Sequence, residues 1–100
     1  MTEKELKAAH KHSFGNRKEI EASKLCGCFS CGRTFTPDKA EYYGDEEDGR
    51  QTAWCPYCST DAVIGDVSGY ELSLEFLNAM ARRWFGYALK KDKEQISFLP

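Results

Sequence analysis

Four of the five cysteines fall into two Cys-x-x-Cys pairs, Cys28/Cys31 and Cys55/Cys58, and this doubled pair constrains the chain's 100 residues more than any other feature. Two thiolates separated by two residues can turn about a single cation, with backbone N–H groups of the tight turn aimed at the sulfurs. Gly32, directly after the first pair, supplies the positive φ such a turn needs. Pro56, directly after Cys55, fixes the opening of the other turn. Two such pairs give a four-sulfur tetrahedral donor set, which suits zinc, or iron in a site of the same shape. The expected metal ligands are Cys28, Cys31, Cys55 and Cys58, holding one structural Zn2+. Four sulfurs leave no open position for a substrate water, so the expected ion does no chemistry.

Cysteine usage and composition agree with metal rather than disulfides. The N-terminal stretch Met1-Thr2-Glu3-Lys4-Glu5 is mixed in charge and no apolar signal core follows it, so a cytoplasmic location is expected, where thiols stay reduced. Five is also an odd number. The chain is 41% hydrophobic and 30% charged, the balance of a soluble globular protein, and no apolar stretch is long enough to span a membrane. At this length one domain is expected, 1–100, divided into a helical N-terminal segment (1–24), a metal-bearing core (25–69) and a C-terminal helix with its tail (70–100). A chain this short buries little apolar surface, and a bound ion compensates for that.

Charge is uneven along the chain. Residues 1–24 carry six Lys/Arg against four Glu, residues 25–70 three against eight acidic, and residues 71–100 five against four. The cysteine-bearing segment is the acidic one, and the run Asp45-Glu46-Glu47-Asp48 concentrates it. A surface that holds phosphates should be basic, so this distribution weighs against nucleic acid.

The expected architecture is α+β: a small antiparallel sheet stapled by the metal, a short N-terminal helical segment and one long C-terminal helix packed over the sheet. Thr2 with Glu5 forms a capping box for a helix over 2–11, and a second short helix is expected over 17–23. Strand-like segments are Cys26–Cys28, Arg33–Thr36, Tyr42–Tyr43, Gln51–Trp54 and Ala62–Ile64, with a charged loop over Gly44–Gly49. Apolar residues at helical spacing from Leu74 to Ala88, with Ser73 as the cap, predict a helix over 73–91. The tail Ile96–Pro100 is expected to fold back on it. Expected core residues are Phe29, Phe35, Trp54, Val63, Ile64, Leu74, Leu77, Met80, Ala81 and Trp84. Cys26, the spare cysteine, reads as a buried small residue.

The knuckles Cys28–Gly32 and Cys55–Cys58, each between short strand-like segments, resemble those of the zinc-ribbon group, and the site is rubredoxin- or ribbon-like. The resemblance covers about residues 25–66. Ser59 departs from it, standing where many ribbons have a second glycine. The whole chain also looks like small bacterial cytoplasmic proteins without an assigned role. The resemblance implies a metal knuckle and not a particular partner.

Two enzyme readings fail on their own requirements. Cys55-Pro56-Tyr57-Cys58 matches a glutaredoxin active site, but that motif should follow the first strand and lead directly into a long helix, and a later proline should face it. Here Val63-Ile64-Gly65 intervenes and Pro100 is the only later proline. A His-Asn-His type nuclease needs a histidine beside a catalytic metal, and His10 and His12 lie upstream of both knuckles at a spacing that separates helical faces. No Ser/His/Asp set, phosphate loop or dinucleotide fingerprint is present. A non-enzymatic role is expected: first, a protein-binding adaptor or inhibitor with a basic partner, using the acidic loop and the aromatics Phe76, Trp84, Phe85 and Tyr87. The alternatives are a nucleic-acid-binding ribbon, using Lys18, Lys24, Arg33, Arg82, Arg83, Lys90 and Lys91 with stacking by Tyr42, Tyr43 or Trp54, and a thiol redox or metal sensor acting through Cys26. The broad apolar helix also allows a homodimer.

Overall fold

The computed structural model describes residues 1–89; the expected tail and the basic residues Lys90 and Lys91 lie outside the described residues. The architecture is α+β. Helix α1 spans Glu3–His10 and α2 spans Arg17–Ala22; strands β1 (Cys26–Cys28) and β2 (Thr34–Phe35) are followed by a 3-10 turn at Pro37–Lys39. Strands β3 (Tyr43–Asp45), β4 (Gln51–Ala53) and β5 (Val63–Gly65) come next, and α3 (Leu74–Phe85) completes the described elements. The strands form two antiparallel sheets. One has the order β2-β1-β5, and the other is the hairpin β3-β4.

Local chemistry sets these bounds. The Thr2–Glu5 capping box forms in both directions and starts α1. The Ser73 hydroxyl accepts the Phe76 N–H at 3.1 Å and starts α3. The helix expected to reach residue 91 stops at Phe85. Gly86 takes a left-handed conformation (φ 79°) and donates its N–H back to Ala81 and Arg82 carbonyls, closing the last turn. The apolar pattern beyond it, Tyr87 to Leu89, is therefore not helical. The Leu89 N–H instead bonds the Asn78 side-chain oxygen at 2.8 Å, so the chain doubles back along α3.

The core lies between α1, α3 and the three-stranded sheet. Phe29, Val63, Ile64, Leu77, Met80 and Ala81 are at most 1% exposed, and Phe35 is buried, as expected. Burying each large side chain contributes about 1.5–3 kcal/mol. Gly27, in the middle of β1, lies against α3: a Cβ there would stand in van der Waals contact with Leu77 at 3.4 Å. Three expected core residues differ. Leu74, in the first turn of α3, and Trp84, tilted against His10 with 4.0 Å between ring centres, are half-buried. Trp54 is 43% exposed, because it lies beyond the last residue of β4 and its ring crosses the strand pair above Gly44.

Asn16 joins the two sheets. It is 2% exposed, its amide donates to the Val63 carbonyl at 2.7 Å and the His12 carbonyl at 2.8 Å, and its oxygen accepts the Ala53 N–H at 3.0 Å. One side chain thus bonds β5 and β4. The Gly15 N–H adds a bond to the Thr52 hydroxyl at 2.8 Å. Replacing Asn16 with Ala strips partners from three backbone groups, two of the bonds being buried, at about 1–3 kcal/mol for each group left dry. Thermal denaturation of metal-loaded N16A is expected to show a midpoint lower by about 10 °C or more; an unchanged midpoint would show that the two sheets are held without this residue.

Candidate metal centre

Two turns of the same construction face each other. The first connects β1 to β2, the second β4 to β5. In the first, the Cys28 N–H bonds the Arg33 carbonyl at 2.9 Å and the Gly32 N–H bonds the Cys28 carbonyl at 2.8 Å. In the second, the Cys55 N–H bonds the Thr60 carbonyl at 2.9 Å and the Ser59 N–H bonds the Cys55 carbonyl at 2.9 Å. Both turns then aim a backbone donor at their leading sulfur: Ser30 N–H at Cys28 Sγ (3.3 Å) and Tyr57 N–H at Cys55 Sγ (3.4 Å). The Thr60 hydroxyl lies 3.4 Å from Cys58 Sγ. The two backbone donors stabilise thiolates, the form that binds metal.

Four sulfurs, from Cys28, Cys31, Cys55 and Cys58, converge within 4.8 Å of one another. Across the two turns, Cys28 Sγ is 3.7 Å from Cys58 Sγ and Cys31 Sγ is 3.8 Å from Cys55 Sγ. A disulfide would need a separation of about 2.05 Å. A tetrahedron of sulfurs each about 2.3 Å from a central zinc has edges of about 3.8 Å, so the spacing fits an ion at the centre. Mutual hydrogen bonds divide the acidities of the cluster. Bonds with Cys31, Cys55 and Cys58, together with burial, push the Cys28 thiol far up, while bonds with Cys28 and Cys31 hold Cys55 down to about 7. These four residues could hold a metal ion, and they are the four singled out by spacing.

The two turns are seated differently. Phe29 of the first is 1% exposed, with its ring against His10 (6.0 Å) and stacked on Phe85 (5.7 Å). The Tyr87 hydroxyl, past the end of α3, bonds the Ser30 carbonyl at 2.5 Å. The second turn is more open: Tyr57 and Cys58 are half-buried and Ser59 is exposed. Its flanking strands belong to different sheets, so the turn depends on its partners for position. The Phe29 N–H reaches across to the Ala62 carbonyl at 3.0 Å, directly before β5.

The remaining candidates do not join the cluster. Cys26 is buried in β1, and burial, with the nearby Asp66 carboxylate, pushes its thiol up to about 12. That opposes thiolate chemistry there. His10 packs its ring against Trp84, and His12 bonds Glu19 at 2.9 Å; among the described residues, no group of possible metal ligands includes either histidine. Asn16 and Gly86, which set the surroundings of the centre, carry no role in the sequence reading, and Tyr87 is read there as a surface aromatic of the helix rather than as a partner of the first turn. Gly86 is the readable one, since glycine directly after an apolar helical run is a stop signal.

Ser59 is the one non-glycine residue with positive φ (68°) among the described residues, at the position matching Gly32 (φ 81°) of the first turn. A side chain in that region costs roughly 1 kcal/mol. Ser59→Gly is therefore expected to raise the melting midpoint by a few degrees, and Gly32→Ala to lower it by a comparable amount. Calorimetry on the metal-loaded variants reads both; a destabilised S59G would show that the hydroxyl does more than the strain costs.

Comparison with protein-family models, with curated proteins and with solved structures finds no match, so the assignment of this centre rests on its own geometry.

Proposed function

We propose that the chain is a small zinc protein with a non-catalytic four-cysteine centre, and that it works by binding another protein. The observation that carries the metal reading is the cross-turn sulfur spacing of 3.7 and 3.8 Å, which matches a tetrahedral edge. Zinc is favoured over other ions because four thiolates and tetrahedral spacing select zinc or iron, and zinc brings no redox chemistry to a site whose role is to hold two turns together. With four protein ligands the ion offers no position to water or substrate. The centre instead fixes β4 and β5, which lie in different sheets, against the turn after β1.

The surface supports a protein partner over a nucleic acid. The exposed aromatics Tyr42 and Trp54 sit at one end of the β3-β4 hairpin, and the acidic run 45–48 occupies the other end. Tyr43, the third candidate for stacking on bases, is covered by the Arg17 guanidinium at 4.2 Å. Arg33 lies over Tyr57 at 4.6 Å, and Arg83 is bonded to Glu3 at 2.7 Å. An acidic, aromatic-bearing surface fits a basic polypeptide. No helix of the described residues is long and apolar enough to cross a membrane.

Replacing Cys31 or Cys58 with Ser is expected to release the ion and to lower stability by several kcal/mol, since binding free energy in such centres is folding free energy. Elemental analysis and circular dichroism of the purified variants measure both. One full zinc equivalent together with native melting in either variant would show the ligand set to be wrong. Affinity capture from a cell extract before and after nuclease digestion separates the two partner classes: a protein retained after digestion supports this reading, and loss of all bound material on digestion contradicts it.

A further inference from the structure

Among the described residues, the register of the β3-β4 hairpin leaves one edge unpaired. The Trp54 N–H bonds the Tyr42 carbonyl at 3.0 Å and the Glu46 N–H bonds the Arg50 carbonyl at 2.9 Å. These are hydrogen-bonded pairs, and by alternation so is Gly44 with Thr52. Tyr43 and Asp45, opposite Ala53 and Gln51, therefore turn their N–H and C=O groups away from β4. On the β4 side the outward Ala53 N–H is taken by Asn16. On the β3 side, no described residue hydrogen-bonds the backbone of Tyr43 or Asp45. Such an edge is a template for another strand.

Charge identifies the occupant. Residues 40–49 contain five carboxylates (Glu41 and Asp45 to Asp48) and no lysine or arginine. Asp48 is paired with Arg50, while Asp45 and Glu46 bond Gln51 and Thr52. Glu41 and Glu47 are exposed and have no partner among the described residues. A second copy of this edge would bring the same carboxylates against themselves, and a nucleic acid would bring phosphates; both are repelled. At the start of β3, Tyr42 (63% exposed) and Trp54 (43% exposed) sit on opposed strands and offer ring faces to a cationic side chain. The hairpin is also held at a fixed place beside the metal centre, because Cys55 directly follows Trp54.

We infer that the free edge of β3 binds an extended, lysine- or arginine-bearing segment of a partner protein, which adds to the hairpin as a third strand. This rests on the protein-binding reading above and names its surface and mode. Main-chain pairing with Tyr43 and Asp45 supplies the register. Glu41, Glu47, Tyr42 and Trp54 select positive side chains.

The test uses the zinc-loaded full chain, isotopically labelled, and a capped octapeptide of alternating lysine and valine. Two counterparts serve as controls: alternating glutamate and valine, and the lysine peptide with amides N-methylated on both edges, which keeps the charges and removes the donors. The expected result is amide shift changes confined to residues 41–54 and slowed hydrogen exchange at Tyr43 and Asp45, by about tenfold or more at saturation, with neither control binding comparably. The double variant Glu41→Lys/Glu47→Lys, and separately Trp54→Ala, should weaken binding by about fivefold or more at low salt while retaining one zinc equivalent. Equal binding of the N-methylated peptide, or no binding of the lysine peptide at low salt, overturns the proposal. Shift changes that map instead to Phe85 and Tyr87 overturn it too, but leave the protein-binding reading standing on another surface.

Discussion

The convergence of two turns from distant parts of the chain on one point is the constraint on which the rest of the structure depends. Cys31 and Cys55 are separated by 23 residues, and those residues contain β2, a 3-10 turn and the whole β3-β4 hairpin. Without a link at the sulfurs, closing that loop falls to the Asn16 bonds and a few contacts at the edge of the core. Loop closure of this length costs chain entropy on the scale of a disulfide's contribution, about 3 kcal/mol or somewhat more. A domain with few large apolar side chains gains proportionately from a link that removes this cost.

The division of labour between the two turns follows from their surroundings. The first is built into the core through Phe29, His10, Phe85 and Tyr87. The second carries an exposed, positive-φ serine and is flanked by strands of separate sheets. An ion held by the four sulfurs would join the enclosed turn to the more open one. The hairpin is in turn the surface that the rest of the molecule holds out to solvent, with its aromatic pair at one end and its carboxylates at the other. The proposed metal centre and the proposed binding surface adjoin each other, since Trp54 and Cys55 are consecutive.

Much of this is legible in the sequence where the signal is local. The capping box at Thr2, the Ser73 cap, the strand at Cys26–Cys28 and each Cys-x-x-Cys turn depend on residues within a few positions of each other, and each appears as expected; the cluster of all four sulfurs joins two such local signals. The end of α3 is misleading in sequence because the apolar period continues through Tyr87 and Leu89, whereas Gly86 offers the left-handed conformation that ends a helix. Trp54 reads as core on its size, but its environment is set by strand register: opposite Tyr42 and above Gly44, it has solvent on its far side. The Asn16 bridge is not readable at all. Its meaning lies in contacts 37 and 47 residues away, and nothing in a polar turn such as His12–Arg17 announces which carbonyls it will meet.

The claim at the centre of this account is that four cysteine sulfurs bind one zinc ion. X-ray absorption at the zinc edge of the purified protein tests it most directly. A four-cysteine zinc centre gives a single shell of four sulfurs at about 2.3 Å with no nitrogen or oxygen ligand. A shell containing oxygen or nitrogen donors, or a sample without stoichiometric metal, would contradict it.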